Sequence, residues 1–212
     1  MKSVPVPSAA EQAYRSVKEQ ILRGDIVGGE LLSEGEVASR LGYSRTPVRE
    51  AFLRLETEGW MRLYPKRGAL VLPVAPEEGR QVVAARQVVE GAAATRIVAD
   101  GASPALLSRL DRLIALQLDR ARAGDADGYS AADADFHRAV VGCLDNPFLE
   151  NFYDSLRERQ RRMTATAVGV DPERVAKAVA GHRALAKALA DGDSAGFAAE
   201  LARHMKVVTG DA

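Results

Sequence analysis

The chain has 212 residues, 47% apolar and 27% charged, a globular balance that excludes wholesale disorder. Lys+Arg and Asp+Glu both number 29, so the whole chain is neither a polybasic nucleic-acid coat nor an acidic tail. No apolar run reaches the roughly 18–20 residues of a membrane span, residues 1–16 carry no signal-peptide core, and the single Cys143 excludes a disulfide framework or Cys-rich zinc site. The expectation is a soluble cytoplasmic protein with no membrane partner.

In chain order, Ser8 and Glu11 form a capping box for a first helix, whose Tyr14, Val17, Ile21 and Leu22 make one apolar stripe. Gly24-Asp25 and Gly28-Gly29 end it. Ser33, with Glu36 three residues on, caps a second helix that buries Val37, Ala38 and Leu41. After the turn Gly42-Tyr43, Ser44 opens a third helix with Pro47 in its first turn, where a missing N–H costs little. It runs through Val48, Ala51, Phe52 and Leu55 and stops at Gly59. Strands at about 61–64 and 69–72 follow, joined by Pro65-Lys66-Arg67-Gly68.

Helices joined by a short turn and followed by a basic hairpin predict a winged helix-turn-helix. Residues at the start of a recognition helix enter the major groove, where guanidinium pairs bidentately with guanine. Arg45 and Arg49 are four apart on one face, Ser44 and Thr46 add short donors, and Lys66 and Arg67 place charge on the wing. Gly68 lets the backbone approach DNA. Singly, each Arg reads equally as part of a solvated face. Residues 1–74 carry a net charge of +2 and the remainder −2.

Pro73-Val74-Ala75-Pro76 marks a connector, since two nearby prolines break regular structure. Beyond it the pattern is helical at roughly 77–100, 103–123, 126–143, 147–167, 172–190 and 193–208, with breaks at Gly101, Gly124, Asn146-Pro147, Gly169 and Gly192. Ser103-Pro104 and Asp171-Pro172 read as cap followed by N1 proline. Six helices with short links predict an antiparallel bundle. The fold class is mainly α, with residues 8–73 as one domain and 77–208 as the other.

All three histidines fall in the bundle. Asp133 and His137 share a helix face at i,i+4. His182 lies nine residues before Asp191 and His204 eleven after Asp193, at similar height in an antiparallel pair. One carboxylate and three imidazoles suit a divalent metal ion such as zinc or nickel, with positions left open. Satisfied core or surface histidines are the plainer alternative. Asp135, two residues from His137, faces elsewhere. Arg157, Arg159, Arg161 and Arg162 read as a solvated face or an interface, and Cys143 as a small packed residue.

The run from Leu32 to Ala51 containing SRTPVREA, then Leu55–Trp60 with its EGW, then Arg67-Gly-Ala-Leu-Val71, resembles the DNA-binding domain of the GntR family of bacterial transcription regulators. That resemblance implies DNA contacts at Ser44, Arg45, Thr46, Arg49 and Gly68. Gly35 departs from the family, whose members usually carry Arg there. Downstream, Arg86-x3-Glu90, Asp133-x3-His137, Asn146-Pro-Phe-Leu149, Gly181-His182 and His204 resemble the FCD effector domain of FadR-type members, in its six-helix, VanR-like form. It implies metal ligation by Asp133, His137, His182 and His204, a small carboxylate effector with Arg86 as its guanidinium partner, and a homodimer on an operator in double-stranded DNA. For Arg86, a salt bridge to Glu90 is the plainer reading. The leading expectation is a ligand-responsive repressor and not an enzyme. A metal-dependent enzyme acting on small organic acids, or a regulator with a metal-free bundle, are the alternatives.

Overall fold

The computed structural model describes residues 7–167 and 171–209, and the chain divides after Val74 into two compact units. In the first, α1 (Ala9–Arg23), α2 (Glu34–Leu41) and α3 (Arg45–Thr57) stand with three short strands, β1 (Leu31–Leu32), β2 (Met61–Tyr64) and β3 (Gly68–Val71). The sheet is antiparallel in the order β1-β3-β2, with Leu31 opposite Leu70 and Met61 opposite Val71. The expected hairpin is therefore a three-stranded wing, and its second strand begins one residue earlier than the pattern suggested. Two residues are too few for an alternating pattern, so β1 was invisible in the sequence.

The stripe of α1 is buried with Val48, Phe52 and Leu55 of α3 and Ala69 and Val71 of β3 in one apolar core. Ser8 Oγ accepts the Glu11 amide at 3.1 Å, as its position predicts. The Glu11 carboxylate, however, pairs with Arg15 and Arg54. Ser33 caps α2 through Gly35 N, and Gly59 lies two residues past the last helical residue. A polar knot reinforces the packing of α1 on α3. Glu58 receives Tyr14 Oη at 2.8 Å, Lys18 Nζ at 2.7 Å and Trp60 Nε1 at 3.1 Å, and the Arg54 guanidinium stacks on the Tyr14 ring.

The second unit is a six-helix bundle among the described residues: α4 (Pro76–Asp100), α5 (Pro104–Arg122), α6 (Ala126–Val141), α7 (Pro147–Ala167), α8 (Pro172–Ala190) and α9 (Ser194–Thr209). Gly142–Leu144 form one 3-10 turn where the pattern had suggested two more residues of α6. The break assigned to Gly169 lies outside the described residues. Ser103 and Asp171 cap α5 and α8 through Leu106 N and Arg174 N. Asn146 accepts the amides of Phe148 and Leu149 at the start of α7. Leu110 and Ile114 of α5, Phe136 and Val140 of α6, Leu185 and Leu189 of α8, and Phe197 and Leu201 of α9 fill the core. Val89, Val141, Tyr153 and Leu156 join α4, α6 and α7.

Of the two readings of the arginine cluster, a solvated face or an interface, the solvated face does not hold for Arg157, Arg159 and Arg161. Arg157 pairs with Asp135 of α6, Arg159 with Glu78 of α4 and Arg161 with Asp127 of α6, and Arg161 is buried. Cross-helix carboxylates distant in sequence supply the partners.

Candidate nucleic-acid interface and metal centre

Ser44, Arg45, Thr46 and Arg49 are all exposed on the first turns of α3. Ser44 occupies the N-cap position without a capping hydrogen bond from its side chain. Together they form a polar, positively charged helix start, suited to base edges and phosphates. The Arg45 guanidinium lies over Gly35, and a Cβ built there would come within 3.3 Å of its Nη2. Lys66 and Arg67 are exposed at the wing turn. Gly68 has its own structural reason: its φ is +105°, and a Cβ would lie 2.2 Å from Leu32 O. The approach of β1 therefore requires glycine there, whatever else the wing touches.

In the bundle, Asp133 and His137 of α6, His182 of α8 and His204 of α9 converge, all buried, with one ligand atom from each within 4.8 Å of the others. His182 Nε2 lies 3.2 Å from His137 Nε2, which lies 3.3 Å from His204 Nε2. Asp133 Oδ1 is 3.3 Å from His182 Nε2 and has no hydrogen-bond partner.

Outer residues decide which ring nitrogen faces inward. His137 Nδ1 lies 2.7 Å from Glu90 Oε2. A carboxylate only accepts, so Nδ1 carries the proton and the neutral ring turns a lone pair inward at Nε2. His182 Nδ1 lies 2.7 Å from Gln117 Oε1, whose amide is oriented by Nε2 donating to Ala132 O. With its proton on Nδ1 alone, His182 likewise points an Nε2 lone pair inward. Two such lone pairs facing each other at 3.2 Å repel unless a cation, a metal ion or a proton, lies between them. Gln160 Nε2, at 2.7 Å, and Thr164 Oγ1 donate to Asp133 Oδ2, leaving Oδ1 as the inward atom. Of the three outward ring nitrogens, Nδ1 of His204 is the one without a hydrogen-bond partner.

Burial is the largest single influence on protonation in this cluster. Burial lowers the pKa of His137, more than offsetting the attraction of Glu90, and burial together with the other two rings holds His204 well below the usual imidazole value. Burial tends to raise the Asp133 carboxyl, but the surrounding rings outweigh it and hold the pKa low. Burial acts likewise on Glu90, where Arg86 and His137 bring the carboxyl down to about 2.

Arg86 makes the salt bridge that is the plainer of its two readings, Nε to Glu90 Oε1 at 2.9 Å, and Tyr153 Oη donates to the same oxygen at 2.6 Å. Its Nη2 is buried without a hydrogen-bond partner. Sequence reasoning missed Gln117, Gln160 and Thr164 altogether and named Glu90 only in the motif Arg86-x3-Glu90 and as a salt-bridge partner of Arg86. A signal existed: Gln117 continues the buried stripe Leu106, Leu110, Ile114, and Gln160 and Thr164 continue Tyr153, Leu156. A polar side chain on a core stripe demands a buried partner.

Comparison with known proteins agrees with this architecture. The family model "Bacterial regulatory proteins, gntR family" matches residues 9–71, and the "FCD domain" model matches 81–207. An uncharacterised HTH-type transcriptional regulator in the TAR-I ttuE-ttuC' intergenic region of Agrobacterium vitis is 32% identical over 146 residues, 66% of this chain and 84% of its own. A protein of Paenarthrobacter nicotinovorans named "Probable D-xylose utilization operon transcriptional repressor" is 29% identical over 197 residues, 93% of this chain and 83% of its own. Other relatives named as repressors are matched over only 57% and 61% of their own length. Among solved structures, that of "a putative transcriptional regulator GntR from Rhodococcus sp. RHA1" superposes with a TM-score of 0.78 at 22% identity, covering 97% of both chains, which supports the fold. Among the described residues no helix is long and apolar enough to cross a membrane. With a winged helix-turn-helix in one unit, a six-helix FCD domain in the other and relatives that are regulators and not enzymes, the chain belongs to the GntR family of DNA-binding transcription regulators.

Proposed function

We propose that this chain is a cytoplasmic repressor whose grip on an operator is set by a small carboxylate effector held at a divalent metal in the bundle. Residues 8–73 serve as the DNA-binding domain and 77–208 as the effector-binding and dimerisation domain. The observation that carries the proposal is the convergence of the Nε2 atoms of His137, His182 and His204, with the bare Oδ1 of Asp133 beside them. The 3.2 and 3.3 Å nitrogen separations fit the edges of a tetrahedral site, about 3.3 Å for metal–nitrogen bonds of about 2.0 Å. Asp133, His137, His182 and His204 are the proposed ligands, and zinc or nickel the proposed ion. In a metal-free bundle a proton on one Nε2, shared with the facing ring or with Asp133 Oδ1, would have to take the place of the ion.

Charge bookkeeping favours an anionic effector. Arg86 and Glu90 cancel, Asp133 leaves one negative charge, and imidazoles that ligate a metal do so as neutral rings. A divalent ion turns that deficit into a single positive charge, which one carboxylate neutralises. The ion would supply Lewis acidity and an anchoring charge, while Arg86 Nη2 is a donor awaiting an acceptor. The effector biases the bundle between arrangements, and the affinity for DNA follows.

At the operator, Ser44, Arg45, Thr46 and Arg49 read the major groove while Lys66, Arg67 and Gly68 meet the backbone from the wing. A homodimer places two such helices on a palindrome. Exposed Val88 on α4 and Phe148 and Phe152 on α7 are apolar surface available for pairing.

Fluorescence anisotropy on the DNA upstream of its own gene, with salt titration, tests the first half: tight, salt-sensitive binding is expected, and none at low salt would remove the regulator claim. Elemental analysis and a thermal-shift screen of small organic acids, with and without metal, test the second. Stoichiometric zinc or nickel and metal-dependent stabilisation by carboxylates are expected. Metal-free protein indifferent to chelator would overturn the metal site.

A further inference from the structure

Three of the four inward groups are aimed by hydrogen bonds: His137 by Glu90, His182 by Gln117, and Asp133 by Gln160 and Thr164. His204 is the exception, since its Nδ1 is buried and unpartnered. Something else must hold its ring. The ring rests directly on the backbone of α8 at Gly181. A Cβ built on Gly181 would come within 2.6 Å of His204 Nδ1, 3.3 Å of Cγ and 3.4 Å of Cβ. No real side chain tolerates the first of these distances, so the imidazole occupies the volume that any other residue at 181 would fill.

Gly181 is buried, at the tenth position of a 19-residue helix, where glycine is a poor helix former. A φ requirement does not explain it, because Gly181 is not among the positive-φ glycines. We infer that Gly181 is a positioning residue of the metal centre: its missing side chain is the seat that aims His204 Nε2 at the other three ligands. This inference rests on the metal reading above and adds to it a fifth residue, one that touches neither ion nor effector. It also explains why a neighbour of His182 in sequence serves a different ligand. The α8 face that presents His182 to the ion also presents a gap beside it, and α9 fills that gap with His204.

The test compares full-length wild type with Gly181→Ala, His204→Ala and Gly91→Ala by zinc competition against a chromophoric chelator and by metal-free thermal melting. Gly91 is the control: it also lies within a helix, α4, but a Cβ there meets nothing within 4 Å. Gly91→Ala is expected to keep wild-type zinc affinity and raise the melting midpoint, as alanine favours helix. Gly181→Ala is expected to lose zinc affinity by at least about tenfold, approaching His204→Ala. If Gly181→Ala binds zinc like wild type while His204→Ala does not, the positioning role is wrong and the metal site stands. If His204→Ala also binds like wild type, the metal reading itself fails. The double variant Gly181→Ala/His204→Ala guards against misfolding. With the ring removed, the added methyl has room, so it should cost less in metal-free melting midpoint than it does in wild type. An equal cost in both backgrounds would overturn the inference.

Discussion

The two units treat charge in opposite ways. In the amino-terminal unit the core is apolar, Lys18 is the buried ionic side chain among the described residues, and the groups proposed to meet DNA are mostly exposed. In the carboxy-terminal unit Arg86, Glu90, Asp133 and three histidines lie inside, together with Gln117, Gln160 and Thr164. An exposed guanidinium loses little hydration until its partner arrives, so the first unit can carry its specificity at low structural cost. A buried polar cluster must be satisfied atom by atom. Substitutions at the surface should therefore change binding alone, while substitutions in the cluster should change binding and stability together.

The largest effect expected is at Glu90. Glu90→Gln leaves the buried Arg86 charge without its carboxylate and removes the anionic acceptor on His137, costing about 3 kcal/mol of bundle stability. Metal affinity should fall about 10-fold to 100-fold. Chemical denaturation and metal competition would measure both, and a change in only one would break the proposed coupling. Next comes Arg49→Ala, expected to weaken operator binding by about 1–3 kcal/mol with metal binding and melting midpoint unchanged. Anisotropy and thermal shift on the same preparation sharpen the contrast.

pH separates the units too. His137 and His204 have pKa values below their unfolded value of about 6.5. The unfolded state therefore takes up protons first as pH falls. The stability due to these groups is full above about 6.5 and lost on acidification towards their folded values. Glu90, lowered to about 2, adds a second loss below the ordinary carboxyl value of 4.5. Melting of chelated protein should drop between pH 8 and pH 5.5, and a rise would contradict the buried neutral rings. The smallest effect is at the wing: Lys66→Ala should lower affinity for all DNA sequences alike and reduce the salt slope by about one.

Much of this molecule was legible from neighbouring residues. Ser8, Ser103 and Asp171 cap the helices that they precede, and the stripe Tyr14–Val17–Ile21–Leu22 is buried as its spacing requires. Asp133 and His137 share a face, and His182 and His204 meet as their distance from the α8–α9 turn suggested. Other features stayed hidden because their cause lies across the fold. β1 exists only as a partner of β3, Gly68 answers to the Leu32 carbonyl, and Arg157 and Arg161 find carboxylates on α6.

By itself the sequence determined the helices, most of their ends and the residue types available for chemistry. Those follow from interactions spanning a few residues, namely caps, i,i+4 stripes and proline breaks. Tertiary structure alone decided which ring nitrogen faces inward, which glycine makes room for a ring and which carboxylate stays buried beside a cation. These depend on how helices rotate against one another, and bring together pairs such as Glu90 with His137 and Gln117 with His182, 47 and 65 residues apart. Helix periodicity places a side chain on a face, but only packing says what that face meets.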